Sequence, residues 1–368
     1  MSTFRPFVYL HFLALPLLVL GAEAPSPQYE HKAIRIEPAS VAEPVRQEFS
    51  VKHAVDYLVT GNSAWVGKRK CVSCHTTGSY VQAAPQLAAH IGEPEAAVRQ
   101  FLVSELSELQ LAPKQKFERG TSTAQVIYIA AGLAEWDRNM TGKLSPETKD
   151  ALEFAFELQQ KSGTWQSLDC WPPLESSAYQ EATVAAIAAA TAPGWLEQNS
   201  GHAGMQRLKT YLRTEPPPHD YGRVLLLWVA TQIPDLLAGR KQEELVRLIL
   251  SKQREDGGWS IRNFAKPEEW GSGNRATKLQ REPEFKTTPS DGHMTGLCTM
   301  ILRDAGIPAQ DVRLQKAVKW LLTNQRESGR WWTRSLNTDK YHFITYSGTT
   351  YPLLALAKCG KLPRISKE

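Results

Sequence analysis

The sequence predicts an all-α fold: a single α6/α6 toroid, a barrel of six outer and six inner helices. Two observations carry this expectation. First, a short unit recurs. Gln159, Gln253 and Gln325 are each followed at the fourth position by glycine (Gly163, Gly257, Gly329) and at the sixth by tryptophan (Trp165, Trp259, Trp331). Apolar residues precede each glutamine at minus four and minus seven: Ala155 and Leu152, Ile249 and Val246, Leu321 and Val318. This spacing suits a helix that ends at the glycine in a left-handed cap, with the glutamine amide bonding exposed carbonyls and the indole covering the last turn. A worn copy is expected ahead of Trp65, with Val55, Leu58 and Val59 as its stripe but without the Gln and Gly.

The second observation is alternation. Val98-Phe101-Leu102-Leu106, Met205-Leu208-Leu212, Leu245-Leu248-Ile249 and Leu314-Ala317-Val318-Leu321 each form one apolar stripe on an otherwise polar helix. Between them stand segments apolar or small nearly all round, at 126–133, 183–190, 224–230, 294–302 and 348–357. A helix without a polar face is buried on all sides. Six pairs, outer then inner, close into a double ring. An open helical solenoid is the alternative, and it needs fewer fully buried helices.

In chain order, Arg5, the apolar run from Phe7 to Leu20 and the small residues up to Ala24 read as a signal peptide over 1–24. The apolar run is too short for a membrane span and contains Pro16. Residues 25–47, rich in Pro, Glu, Ala and Ser, read as an extended leader, and 48–360 as the toroid. The expected location is secreted or periplasmic, and no later segment reads as an integral membrane span. A polar stretch at about 262–289 interrupts the repeat, either as a lid or as a disordered insertion. The net charge of +5 is not gathered into a basic run interleaved with aromatics, which argues against nucleic acid.

The strings Gln253-Arg254-Glu255-Asp256-Gly257-Gly258-Trp259 and Gln325-Arg326-Glu327-Ser328-Gly329-Arg330-Trp331 resemble the tryptophan-glutamine repeats of the squalene-cyclase and prenyltransferase superfamily. The resemblance implies one α/α barrel with a central cavity, as in a single domain of a triterpene cyclase. The chemistry of that superfamily does not carry over with it. Class II cyclases protonate an alkene with an Asp-x-Asp-Asp motif, which this chain lacks; Asp291 stands alone and reads first as a helix N-cap. The Asp-x-Cys zinc pair of protein prenyltransferases is also missing, with only the adjacent Asp169-Cys170 in its place.

Cys71-Val72-Ser73-Cys74-His75 is the attachment pattern of haem c. Two thiols at that spacing each add across one haem vinyl group, and the next histidine meets the iron. Zinc is a rival that would need further ligands, whereas Cys170, Cys298 and Cys359 are scattered singly. A thioredoxin-like pair would need a βαβ pattern, and a plain disulfide leaves His75 without a reason.

The motif falls where the chain enters the first inner helix, at one mouth of the expected ring. Equivalent positions hold Tyr179, His219 with Asp220, Asp291 with His293, and Tyr341 with His342. Tyr346 is a further rim candidate. His293 is the expected sixth haem ligand, with Gly292 freeing the backbone and Asp291 orienting the ring. Met294 is its rival. The first reading is therefore an exported haem protein for electron transfer or redox chemistry, with an unknown redox partner or apolar small molecule. The alternatives are a cyclase-like protein, active or degenerate, or a non-catalytic toroid that binds lipid or protein.

Overall fold

The computed structural model describes residues 1, 26–169, 171–174, 177–199 and 201–365. The expected signal peptide, Met1 apart, and Cys170 lie outside them. Twelve long helices follow one another among the described residues. They are α1 (Val51–Arg69), α2 (Thr77–Ile91), α3 (Ala96–Gln110), α4 (Ser122–Trp136), α5 (Pro146–Glu157) and α6 (Ala178–Thr191). Then come α7 (Ala203–Thr214), α8 (Asp220–Gln232), α9 (Gly239–Ser251), α10 (Gly292–Asp304), α11 (Val312–Thr323) and α12 (Ile344–Lys358). Even-numbered helices form the inner ring: α2 packs on α4, α4 on α6, α6 on α8, α8 on α10, α10 on α12, and α12 again on α2. The odd-numbered helices lie outside and bury one stripe each, such as Met205, Leu208 and Leu212 of α7. Inner helices are buried nearly all round, α4 from Ser122 to Glu135 except at Gln125. The expected α6/α6 toroid is the fold observed.

The recurrent unit proves to be a joint between neighbouring outer helices. Each indole N–H donates to a carbonyl of its own helix: Trp165 to Ala155 at 2.6 Å, Trp259 to Ile249 at 2.8 Å, Trp331 to Leu321 at 2.8 Å. Each glutamine amide donates twice, once to its own glycine carbonyl and once to the backbone at the start of the next outer helix. These second acceptors are Gly204 at 3.0 Å, Arg313 at 2.7 Å and Ser50 at 2.9 Å. Ser50 precedes α1, so Gln325 ties the last outer helix to the first and closes the ring. Its Oε1 also accepts from the Ser50 N–H at 2.7 Å.

The glycines are not the helix caps expected from the sequence. The helices stop earlier, and each glycine closes a four-residue turn beyond, with Gly257 N–H donating to Arg254 O and Arg254 N–H to Gly258 O. Gly257 sits at φ 92°, and a Cβ there would come within 2.7 Å of the Lys316 carbonyl, so backbone conformation and close approach both require glycine. Trp65 is no worn copy of the unit either, since it lies within α1.

Two segments are more ordered than the sequence suggests. The leader forms an antiparallel hairpin, β1 (Tyr29–His31) with β2 (Ile34–Ile36), packed on α1. Gln28 is buried, donating to Thr345 Oγ1 at 2.8 Å, and Arg330 reaches back to Glu43 at 2.9 Å. The leader is thus a strap across the closure of the ring. The stretch at 262–289 folds into short helical turns anchored by the fully buried Trp270 and Leu279. Its buried Arg262–Glu282 pair, 2.7 Å apart, is extended by Lys278 and Arg334. The stretch is therefore ordered rather than a disordered insertion, and it lies over the starts of α8 and α10.

Replacing Gln325 by Leu leaves the Ser50 N–H and carbonyl without their partner at the closure. We expect this to lower unfolding stability by about 2 kcal/mol, read as a lower urea midpoint at unchanged m-value. A midpoint equal to wild type would show that the joint contributes nothing to closure.

Candidate functional site

The loops that enter α2, α4, α6 and α12 meet at one end of the barrel and enclose a cavity of about 520 Å³. Its wall includes Cys71, Cys74 and His75 from the first loop, Thr121 from the second with Gln125 of α4, Trp171 to Leu174 from the third, and Ser335, Asn337, Thr338, Tyr341 and Phe343 from the last with Ile344 of α12. The Cys71–His75 turn is set by its neighbours. Lys70 takes a left-handed conformation (φ 50°) that stops α1, and the Gly78 N–H donates back to Ser73 O at 2.7 Å. A side chain at Gly78 would strike Tyr128 and the Ser73 carbonyl, so only glycine lets α2 start this close to the turn.

His75 is held on three sides. Phe343 stacks on its ring at 4.6 Å, almost parallel, and Trp65 meets it edge-on at 4.6 Å. Its Nδ1 is 2.7 Å from Thr76 Oγ1, which is itself 2.8 Å from the Tyr29 hydroxyl of the leader strap. Burial, helped by the positive Arg69, lowers the His75 pKa to about 3, so the ring is neutral at physiological pH. A neutral imidazole whose Nδ1–H is donated to an oxygen presents Nε2 as its ligating nitrogen. Cys71 is half-buried with a free thiol, raised in pKa by burial, and Cys74 is buried. Among the described residues no three His, Cys, Asp or Glu side chains converge as a metal-ion site.

The other sequence candidates land elsewhere, and none of His219, His293, His342, Met294 or Tyr346 lines this cavity. His219 is the N-cap of α8, its Nδ1 accepting from Gly222 N–H at 3.1 Å, and its ring lies 4.6 Å from Trp270 under the cover. Asp291 is the N-cap of α10: it accepts from Met294 N–H at 2.9 Å and from Ile261 N–H at 2.7 Å, and burial raises its pKa to about 6. It does not orient His293. The His293 ring is fully buried, with Nδ1 2.8 Å from Ser347 Oγ and Nε2 3.2 Å from the Tyr221 hydroxyl. The expectation that His293 faces the motif is therefore corrected: second residue of a helix buried on all sides, it points into the core. His342 accepts from Ser335 N–H at 3.1 Å and packs on Trp332, while its neighbours Tyr341 and Phe343 form the wall. Tyr346 is a core residue whose hydroxyl donates to Leu58 O, and Tyr179 is buried at the start of α6.

Sequence reasoning missed Trp65 and Phe343 as the bracket of His75, and Tyr29 and Thr76 as its hydrogen-bonded support. Only Thr76 carried a signal, being next to the motif. Among the described residues no helix is long and apolar enough to cross a membrane.

No family model and no curated protein matches this chain. Among solved structures it is similar to ent-copalyl diphosphate synthase from Streptomyces platensis, at 13% identity and a TM-score of 0.50, covering 77% of this chain and 50% of that one. It thus spans half the length of that enzyme. It is also similar to the type II terpene cyclase MstE from Scytonema, at 14% identity and a TM-score of 0.45, covering 84% of this chain and 97% of that one. The fold is therefore the α/α toroid of terpene cyclases. At such identity the likeness concerns fold alone.

The buried His293 links stability to pH. Its folded pKa of about 3 lies below the unfolded value near 6.5, so between the two the unfolded chain binds a proton that the folded one refuses. Stability is full above about 6.5 and falls as pH drops. Relative to His293→Gln, the wild type should lose about 1.4 kcal/mol per pH unit between roughly pH 6 and 4, measured by urea unfolding. A difference independent of pH would mean that His293 is protonated in the fold.

Proposed function

We propose that this protein is an exported c-type haem protein, with haem bonded through Cys71 and Cys74 and its iron ligated by His75. The observation that carries the reading is that these three side chains share one wall of a cavity of about 520 Å³. That volume lies within the roughly 300–1,000 Å³ typical of cofactor pockets. In attachment each S–H adds across one vinyl group, sulfur bonding one carbon and hydrogen the other, so no oxidant is consumed. Bound haem supplies one-electron redox chemistry. The chain's own part is to exclude water with Trp171, Leu174 and Phe343, and to fix the His75 ring through Thr76 and Tyr29. Export agrees with this reading, because thioether attachment and the apolar run before Ala24 both point outside the cytoplasm.

A second reading, a cyclase-like toroid that binds an apolar small molecule, is favoured by the fold and by the apolar part of the same wall. Against catalysis of that kind, no carboxylate is among the described residues lining the cavity, and Asp291 is committed to capping α10. A toroid of this second kind would bind its ligand without protonating it.

Protein exported from a host with haem-maturation machinery should give a pyridine haemochrome spectrum that survives acid-acetone extraction. Cys71→Ala with Cys74→Ala should abolish it. Protein without covalent haem, but carrying extractable lipid, would favour the second reading. Thr76→Val should keep the haem and raise its reduction potential, since His75 then loses the oxygen that accepts its Nδ1–H and donates less electron density to ferric iron. An unchanged potential would leave Thr76 with a purely structural role.

A further inference from the structure

We infer that iron held by His75 keeps its opposite coordination position open, so that the cavity is a binding site for a small exogenous ligand such as carbon monoxide, nitric oxide or a peroxide. This deepens the haem reading and rests on it. A haem that only transfers electrons needs a second protein ligand, usually histidine or methionine. Among the described residues that line the cavity, none besides His75 is a histidine or methionine. His293 uses both ring nitrogens in the core, and bringing it to the cavity would break two buried hydrogen bonds and leave a hole in α10. His219 is spent on the α8 cap beneath Trp270, and Met294 is fully buried. His53 and His90 bond Ser50 and Pro363, and His202 packs against Phe156 and Trp195. His342 is the nearest rival by sequence, yet its Nδ1 accepts the Ser335 N–H and its ring rests on Trp332.

The polar groups that do line the cavity suit a bound molecule better than iron. Beside the charged Arg69, Thr121, Gln125, Ser335, Asn337 and Thr338 offer neutral hydroxyl and amide groups, poor iron ligands but good hydrogen-bond partners, while the Tyr341 ring stacks on Phe343. The Asn337 carbonyl oxygen already accepts from Arg275 Nε at 2.7 Å, which leaves its NH₂ as the donor still available. Arg275 belongs to the folded cover, so the same segment that lies over the starts of α8 and α10 fixes a side chain on the cavity wall. A neutral donor beside an open iron position is the arrangement that stabilises a bound diatomic or peroxide.

The experiment uses the whole haem-bearing protein. Pyridine haemochrome first establishes covalent haem; its absence sinks the haem reading itself, separately from this inference. With haem present, resonance Raman and absorbance spectra should show five-coordinate, high-spin ferrous iron without added ligand. Carbon monoxide should then bind at a rate proportional to its concentration, and His342→Ala and His293→Gln should leave the starting spectrum unchanged. A low-spin, six-coordinate ferrous spectrum without added ligand overturns the inference. If that spectrum turns high-spin in His342→Ala, His342 is the second ligand. Carbon monoxide binding at a rate that saturates with concentration overturns it too, because a protein ligand must then leave first.

Discussion

A primary amide that donates both of its N–H bonds holds this toroid together. Gln159, Gln253 and Gln325 each bind the carbonyl of their own turn and a backbone carbonyl at the start of the next outer helix. The indole two residues past the glycine secures the other side by bonding back to the helix it follows. Hydrophobic burial favours the inner helices packing together, but it is not directional and does not by itself choose a closed ring. The amide joints supply direction, and the joint from Gln325 to Ser50 supplies closure. The leader strap then covers this seam, with Arg330 bound to Glu43 and Gln28 bound to Thr345.

Closure has a consequence for the mouth. Because every loop that enters an inner helix leaves on the same end, residues far apart in sequence share one cavity. Trp65 and Phe343, which bracket His75, lie on α1 and on the loop before α12, and the closed ring makes them neighbours. The strap contributes again through Tyr29, whose hydroxyl supports Thr76 and through it His75. The support of the ring and the support of the histidine are thus one piece of structure. The starts of α8 and α10 are covered by the 262–289 segment, where His219 and Asp291 cap the two helices. This divides the mouth into a half beside the motif and a half covered around Trp270.

The fold was legible because its signals are periodic. Glutamine, glycine and tryptophan repeat at fixed spacing, and a helix with no polar face has one explanation, burial. The motif at Cys71–His75 was legible because it is contiguous. The errors share a different cause. The rim position of His293 was inferred from its place at the start of an inner helix, but direction around a helix changes by about 100° per residue. Helix starts share a height on the barrel without sharing a direction. His293 turns to Ser347 and Tyr221, while Cys71, Cys74 and His75 face the opening. The glycine was misplaced because a turn with glycine in its left-handed position shows the same residues whether it caps a helix or closes a short hairpin beyond it.

By itself the sequence determined the number and kind of helices, the recurrence of a Gln-Gly-Trp unit after them, and the loop in which two cysteines and a histidine stand together. Local spacing is enough for these, since each depends on residues within a turn or two of one another. Tertiary structure alone decided which side chains meet across the barrel. Tyr29, Trp65, Thr76 and Phe343 converge on His75 from four stretches of chain, and His293 and Asp291 are taken up by packing and capping. Those outcomes depend on the closure of the ring, and closure is a relation between the two ends of the chain that no local pattern encodes.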